Sequence, residues 1–410
     1  MNDFLMVILF SLIGSSAGII TGLVPGLHTN NIAILMLFLS SFMGDEFAIY
    51  LCVLIVAAAT SHTFLNIIPS TFIGAPDEDK ALIALPAHSM LMEGRGYEAI
   101  EISAYSSLLS IIFCLILIYP FKFILTNPLN LYYIIKDITP WILICISIIV
   151  VFTNKNFISA LLIFLISGLL GLVIWDMNSS FLIKSSPIFP ALLGLFGVPA
   201  LIYSYETNVP EQIIETKKRN IGKRGIFEGA IAGGFVSILP GISSAVATTI
   251  VMTIKKERSK EEIVSLLSAT NTSTNFFVIS ALFLILKARS GFAIALKELI
   301  YVERWEGIIF PYPMNLFLIA VIISAVISYF ATLYLGEKFA VGLSEISYNL
   351  LLKISLLIIV GMVIISDGWK GVIILIASSS IGMLCLELKV RRSVCMGVLM
   401  VPVIISLMRI

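Results

Sequence analysis

Gly14-Ser15-Ser16-Ala17-Gly18-Ile19-Ile20-Thr21-Gly22-Leu23-Val24-Pro25-Gly26-Leu27-His28-Thr29-Asn30-Asn31 is an apolar run broken by Pro-Gly and followed by small polar residues. The same plan returns as Gly229-Ala230-Ile231-Ala232-Gly233, then Ile238-Leu239-Pro240-Gly241-Ile242-Ser243-Ser244. Both landmarks recur at one offset, 215 residues (229 − 14 and 240 − 25). A second pair follows each: Thr60-Ser61-His62-Thr63-Phe64 and Thr272-Ser273-Thr274-Asn275-Phe276, 212 residues apart (272 − 60). Two anchors in the same order at nearly the same spacing indicate an internal duplication.

Composition says what surrounds these breaks. Of 410 residues, 59% are hydrophobic and only 12% charged, with a mean hydropathy of +1.05. Soluble chains carry about 25% charged residues, and no soluble core of this size could absorb so much apolar surface. A bilayer can, at about 20 apolar residues per spanning helix. Apolar runs cover 4–24, 27–43, 47–68, 99–121, 138–153, 157–175 and 187–203, then 226–254, 274–286, 315–335, 350–366, 371–386 and 393–408. The net charge of +1 gives no reason to expect nucleic acid as a partner. The five cysteines stand singly in or beside apolar runs, so neither a disulfide framework nor a metal site is expected.

The one long polar stretch, 205–225, holds Lys217, Lys218, Arg219, Lys223 and Arg224. It is expected to be a basic cytoplasmic linker between a membrane repeat at 1–204 and a second at 226–410. Lys255, Lys256, Arg258 and Lys260, and later Lys389, Arg391 and Arg392, mark further cytoplasmic loops. The segment 226–254 has basic residues on both sides, and its arm before Pro240 spans about 21 Å, short of a hydrocarbon core of about 30 Å. It is expected to enter from the cytoplasm and turn back. The first copy is flanked by Asp3 and by Asp45-Glu46, so its ends prefer the outside. The expected fold is an all-α polytopic membrane protein of two inverted-topology repeats with broken, re-entrant helical hairpins.

Proline removes a backbone donor, and glycine permits reversal of the chain. The polar backbone freed at such a break must face protein or water. Half-helix N-termini suit a carboxylate or phosphate, and freed carbonyls suit Na⁺. The candidate substrate- and ion-binding residues are therefore Pro25, Gly26, His28, Thr29 and Asn30 at the first break, with Pro240, Gly241, Ser243 and Ser244 at the second. The later anchors add Thr60, Ser61, His62 and Asn66, and Thr272, Ser273 and Asn275. Lys287 and Arg289, after the second anchor, could draw an anion toward the site or act as an interfacial clamp. Gly14/Gly18 and Gly229/Gly233 are expected to be close-packing faces.

Several stretches carry a family resemblance. Gly22-Leu23-Val24-Pro25-Gly26-Leu27 resembles the Gly-x-x-Pro-Gly-Leu signature of the TctA-type permeases, the large membrane subunits of tripartite tricarboxylate transporters. Asn66-Ile67-Ile68-Pro69, Gly74-Ala75-Pro76, Leu85-Pro86 and Glu93-Gly94-Arg95-Gly96 follow that family's motifs in order. Pro190-Ala191-Leu192-Leu193-Gly194-Leu195-Phe196-Gly197 and Leu239-Pro240-Gly241-Ile242 are similar to later ones. Where the family has a Pro-Glu-Ala-Ala-Asn-Asn stretch, this chain has Ser268-Ala269-Thr270-Asn271-Thr272-Ser273-Thr274-Asn275, without a carboxylate. The family's second Ile-Pro-Gly is replaced by Leu286-Lys287-Ala288-Arg289-Ser290-Gly291.

Together these imply a secondary active transporter in the plasma membrane. It would move a small organic anion, most simply a carboxylate, with Na⁺ or H⁺ as coupling ion and no other cofactor. The resemblance implies a small membrane subunit and an extracellular binding protein as partners, and a homo-oligomer stays open. The competing readings are a channel and an intramembrane enzyme. No His-Glu-x-x-His zinc motif occurs, and no GxxxxGK[ST] loop for ATP.

Overall fold

A computed structural model describes residues 3–24, 29–40, 42–74, 84–175, 177, 187–203, 210, 212–214, 222–239, 244–254, 258–344 and 348–408. Among them the chain is helical, with no strand. The first half holds α1 (Asp3–Leu23), α2 (Thr29–Ser40), α3 (Ala48–Leu65), α4 (Ile67–Phe72), α5 (Ala84–Leu91), α6 (Gly96–Leu125), α7 (Tyr132–Phe152), α8 (Phe157–Trp175), α9 (Ile188–Leu192) and α10 (Val198–Tyr203). A π-helical turn, Leu193–Gly197, joins the last two. The second half holds α11 (Lys223–Ile238), α12 (Ser244–Ile254), α13 (Lys260–Leu284), α14 (Gly291–Leu299), α15 (Tyr312–Ser344), α16 (Tyr348–Glu387) and α17 (Gly397–Met408). Among the described residues seven helical segments are long and apolar enough to cross a bilayer, which makes this a polytopic membrane protein. Most of the linker expected at 205–225 lies outside the described residues.

Glycine decides the central packing. A Cβ at Gly14 would strike the Leu54 carbonyl oxygen and stand 2.9 Å from the Ala57 Cβ. One at Gly18 would strike the Ala58 carbonyl oxygen, 2.7 Å from the Ser61 Cβ. In the second half a Cβ at Gly229 would lie 2.7 Å from the Leu266 carbonyl oxygen and 2.8 Å from the Ala269 Cβ. One at Gly233 would lie 2.8 Å from the Thr270 carbonyl oxygen and strike the Ser273 hydroxyl. The partners Leu54, Ala57, Ala58 and Ser61 correspond one to one, at 212 residues, with Leu266, Ala269, Thr270 and Ser273. Small residues allow such backbone approach, which drives helix association where lipid removes the hydrophobic contrast.

These contacts fix directions. Gly14, Gly18 and Gly22 meet α3 in ascending order, at Ala57, Ser61 and Leu65, so α1 and α3 run parallel and α2 lies between them in sequence. Gly225, Gly229 and Gly233 meet α13 at Glu262, Ala269 and Ser273 in the same way. Helix α15 follows α3: Ser328 donates to Ser61 over 2.7 Å, and Phe339 stacks on Phe72. Helix α6 follows α13: Arg95 pairs with Glu261, Ser268 donates to Ser103 over 2.7 Å, and Phe121 packs on Phe277. The two sets run oppositely, because α15 starts where α6 and α13 end. Tyr119 and Lys122 donate to the carbonyls of Ile308 and Glu306, and the backbone N–H of Trp305 donates to the Phe283 carbonyl. Each half therefore packs its central helix against a long helix of the other half, α3 on α15 and α13 on α6.

Outside this centre, Gly194 of the π-helical turn lies against Ser378 and Leu375 of α16, and Gly171 of α8 against Val398 of α17. Helix α16 breaks at Gly368 (φ 61°), between the two apolar runs expected there. The cysteines are free thiols.

Candidate functional site

Pro25, Gly26, His28, Pro240, Gly241 and Ser243 lie outside the described residues. Their flanks are described. Helix α1 ends at Leu23 and α2 begins at Thr29; α11 ends at Ile238 and α12 begins at Ser244. Thr29 and Ser244 are both buried. The N-terminal ends of α2 and α12 thus lie inside the protein.

One short segment touches the helices at both breaks. Arg289 donates to the Val236 carbonyl in the last turn of α11. Three residues on, the Phe292 N–H donates to Asn30 Oδ1, 3.0 Å away, in the first turn of α2. Gly291 lies flat against the Asn30 side chain, where a Cβ would stand 2.7 Å from Cγ. Ser290 caps α14, its hydroxyl accepting from the Ala293 N–H. A guanidinium and the N-termini of α2 and α14, each partly positive, gather here. Arg289 is the residue that the list drawn from the breaks left out, although its sequence signal, a cation just after an apolar run, was visible.

The later anchors meet deeper in the protein. Thr272 of α13 donates to Thr63 of α3 across 3.3 Å, joining the two halves. His62 Nδ1 lies 3.3 Å from the Thr21 hydroxyl of α1. Thr60 bonds back to the Val56 carbonyl, and Asn66 is buried at the junction of α3 and α4. Ser61 and Ser273 hold equivalent places over Gly18 and Gly233; the Ser273 hydroxyl donates toward the Ala269 and Gly229 carbonyls. Asn275 is half-buried. The stretch Gly14–Gly18 also has Gly-x-Ser-x-Gly spacing, but it lies in mid-helix with the Ser16 hydroxyl bonded back to Leu12. A nucleophile elbow needs a strand-to-helix turn, so these residues make none.

Beside Arg289 the end of α13 opens to the surface. A cavity of about 530 Å³ is lined by Leu286, Lys287, Ala288, Ile294, Lys297 and Glu298. A smaller one, about 220 Å³, adjoins it through Leu286 and Lys287 and reaches Arg304 and Tyr132. Lys287 stands 5.1 Å over the Tyr132 ring. The opposite end of α13 is closed by charge. Arg95 bridges Glu98 and Glu261, and Lys260 reaches Glu93 and Ser89. The hydrogen bonds of Arg95 to Glu98 and then to Glu261 raise its pKa above the ordinary arginine value, against the opposing effect of burial. Gln212, from the stretch between the halves, accepts from the Gly96 N–H at the start of α6 over 2.9 Å and donates to the Leu91 carbonyl. Among the described residues no group of three or more His, Cys, Asp or Glu side chains could hold a metal.

This arrangement can be set beside known proteins. The family model for the tripartite tricarboxylate transporter TctA family matches residues 8–397. An uncharacterised protein of Methanocaldococcus jannaschii is 29% identical over 411 residues, covering 98% of this chain and 99% of its own length. No solved structure matches. The family is one of transporters rather than enzymes, and its members work with a small membrane component and a binding protein. With nearly its whole length matched and, among the described residues, seven helical segments long and apolar enough to cross a membrane, this multi-pass plasma-membrane chain belongs to the tripartite tricarboxylate transporter TctA family.

Proposed function

We propose that the chain is a secondary active permease for a small organic anion, a carboxylate, coupled to Na⁺ or H⁺. The observation that carries this reading is the Arg289–Phe292 segment, which touches α11 just before one break and α2 just after the other. A carboxylate beside it would meet one guanidinium and the positive ends of half-helices, the combination that suits an anion away from bulk water. The reciprocal packing of α3 on α15 and α13 on α6, in opposite directions, supports two inverted-topology repeats with the site between them. Carboxylate uptake into liposomes containing the purified chain should saturate and should follow an imposed Na⁺ or H⁺ gradient. Uptake that ignores both gradients would reject the coupling, and linear flux would favour a channel. The small membrane subunit and the binding protein of the family are proposed partners here too; adding them should raise uptake at low substrate concentration.

Alternating access needs closures that open in turn. With the basic loops taken as cytoplasmic, the Arg95–Glu261 and Lys260–Glu93 pairs close the inner end, and the cavities at Lys287 form the outer mouth. A partly buried pair of this kind contributes about 1 kcal/mol, about fivefold in a two-state population. The double variant Arg95→Gln/Glu261→Gln should therefore raise labelling of a Thr63→Cys probe by a cytoplasmic thiol reagent about fivefold. Unchanged labelling would show that these pairs do not hold the inner end shut.

A further inference from the structure

Helices α6 and α13 face each other across a polar seam at membrane depth. On α6, Ser103, Ser106, Ser107 and Ser110 recur at spacings of three and four, so they share one face, and all four have no exposed surface. On α13, Ser265, Ser268 and Asn271 recur at spacings of three and are as deeply buried. The stripes meet at the Ser268–Ser103 hydrogen bond. Within one turn of it, the Ser106, Ser107 and Ser265 hydroxyls and the Asn271 amide nitrogen find no hydrogen-bond partner in the protein. Such groups each cost several kcal/mol in a membrane interior unless something binds them.

We propose that this seam is a binding site for a small monovalent cation, the coupling ion, held by oxygens drawn from the turn that follows the Ser268–Ser103 contact: Ser103, Ser106, Ser107, Ser268 and Asn271. The residues supply hydroxyl and amide oxygens, the hard neutral donors that replace a cation's hydration shell. No Lys, Arg or His stands among them, so an anion in the seam would lack a compensating charge. Absence of a carboxylate from the set favours a single over a double positive charge. The amide of Asn271 turns its oxygen inward by a flip that leaves the side-chain shape unchanged. The next residue after Asn271, Thr272, makes the contact with Thr63 between the halves, so ion occupancy bears directly on how the halves meet.

The proposal rests on the ion-coupled reading above, but its test needs no substrate. Purified protein in lipid nanodiscs is unfolded by heat in NaCl or in choline chloride at equal ionic strength. Na⁺ alone should raise the unfolding temperature, logarithmically once its concentration exceeds the dissociation constant, because a ligand bound only by the folded state stabilises it. Ser106→Ala and Ser107→Ala remove hydroxyls that have no internal partner, so both should fold as the parent does. Each should weaken the Na⁺ response, and Ser103→Ala/Ser268→Ala should move the Na⁺ concentration at which stabilisation begins up by at least about tenfold. Ser380→Ala, on the exposed face of α16, should leave it unchanged. Equal behaviour in Na⁺ and choline, or an intact response in all the seam variants, overturns the proposal. A seam that held only water would give that second outcome, with Ser106→Ala and Ser107→Ala simply more stable. Na⁺-specific stabilisation without any carboxylate uptake would uphold the seam and reject the carboxylate reading.

Discussion

Arg289→Gln is expected to lower carboxylate uptake by about one to two orders of magnitude, chiefly through a higher KM. A hydrogen bond to a charged group contributes about 1.5–3 kcal/mol, and each 1.4 kcal/mol is about tenfold in affinity. Glutamine keeps a donor for the Val236 carbonyl, so the end of α11 should remain anchored and expression should hold. Arg289→Lys separates two roles. It keeps the charge and loses the planar fork, so it should retain uptake between those of the parent and Gln. If KM is unmoved in both variants while the protein is folded, Arg289 is a clamp on α11 and the anion lies elsewhere. Lys287→Gln, at the open cavity, should have a smaller effect that disappears at high salt, as expected for an exposed charge.

Much of this was legible in the sequence, and the parts that were not have physical causes. Apolar runs gave α8 at 157–175 with its boundaries intact, because a lipid-facing helix must be apolar all along. The same criterion found only 274–286 of α13, which begins at Lys260. Its first half carries Ser265, Ser268, Asn271, Thr272 and Ser273, yet it is enclosed by protein rather than lipid. Hydropathy reads the solvent of a helix, and for α13 that solvent is the rest of the molecule. The serines of α6 left a signal that was available, four hydroxyls on one face of an apolar run, but each alone resembled ordinary helix glue. The matching helix contacts of Gly14/Gly18 and Gly229/Gly233 were readable from the spacing of the glycines, because those residues mark close backbone approach. The sites at the breaks were readable only as neighbourhoods. Arg289 reaches Val236 from 53 residues away, and Asn30 meets Phe292 from 262, distances at which sequence pattern carries no register.

Gly18→Val and Gly233→Val should each sharply lower the yield and unfolding temperature of the protein, and should do so to a similar degree. The two glycines hold equivalent positions, one against the Ala58 carbonyl and Ser61, the other against the Thr270 carbonyl and Ser273. Neither neighbour can withdraw cheaply, since backbone carbonyls belong to rigid helices and the serines are enclosed. Overpacking a tight contact costs about 1–3 kcal/mol even where side chains can shift, and a β-branched residue against backbone belongs at or beyond the upper end. With total stability of about 5–15 kcal/mol, the loss should lower both the yield of monodisperse protein and its unfolding temperature. Gly361→Ala is the control: a Cβ there meets nothing within 4 Å, and alanine is about 1 kcal/mol better than glycine within a helix. It should be neutral or slightly stabilising. If Gly233→Val is tolerated while Gly18→Val is not, α11 can leave α13 without loss of the fold. The second hairpin would then be a movable arm, and the equivalence of the two halves in packing would not extend to their stability.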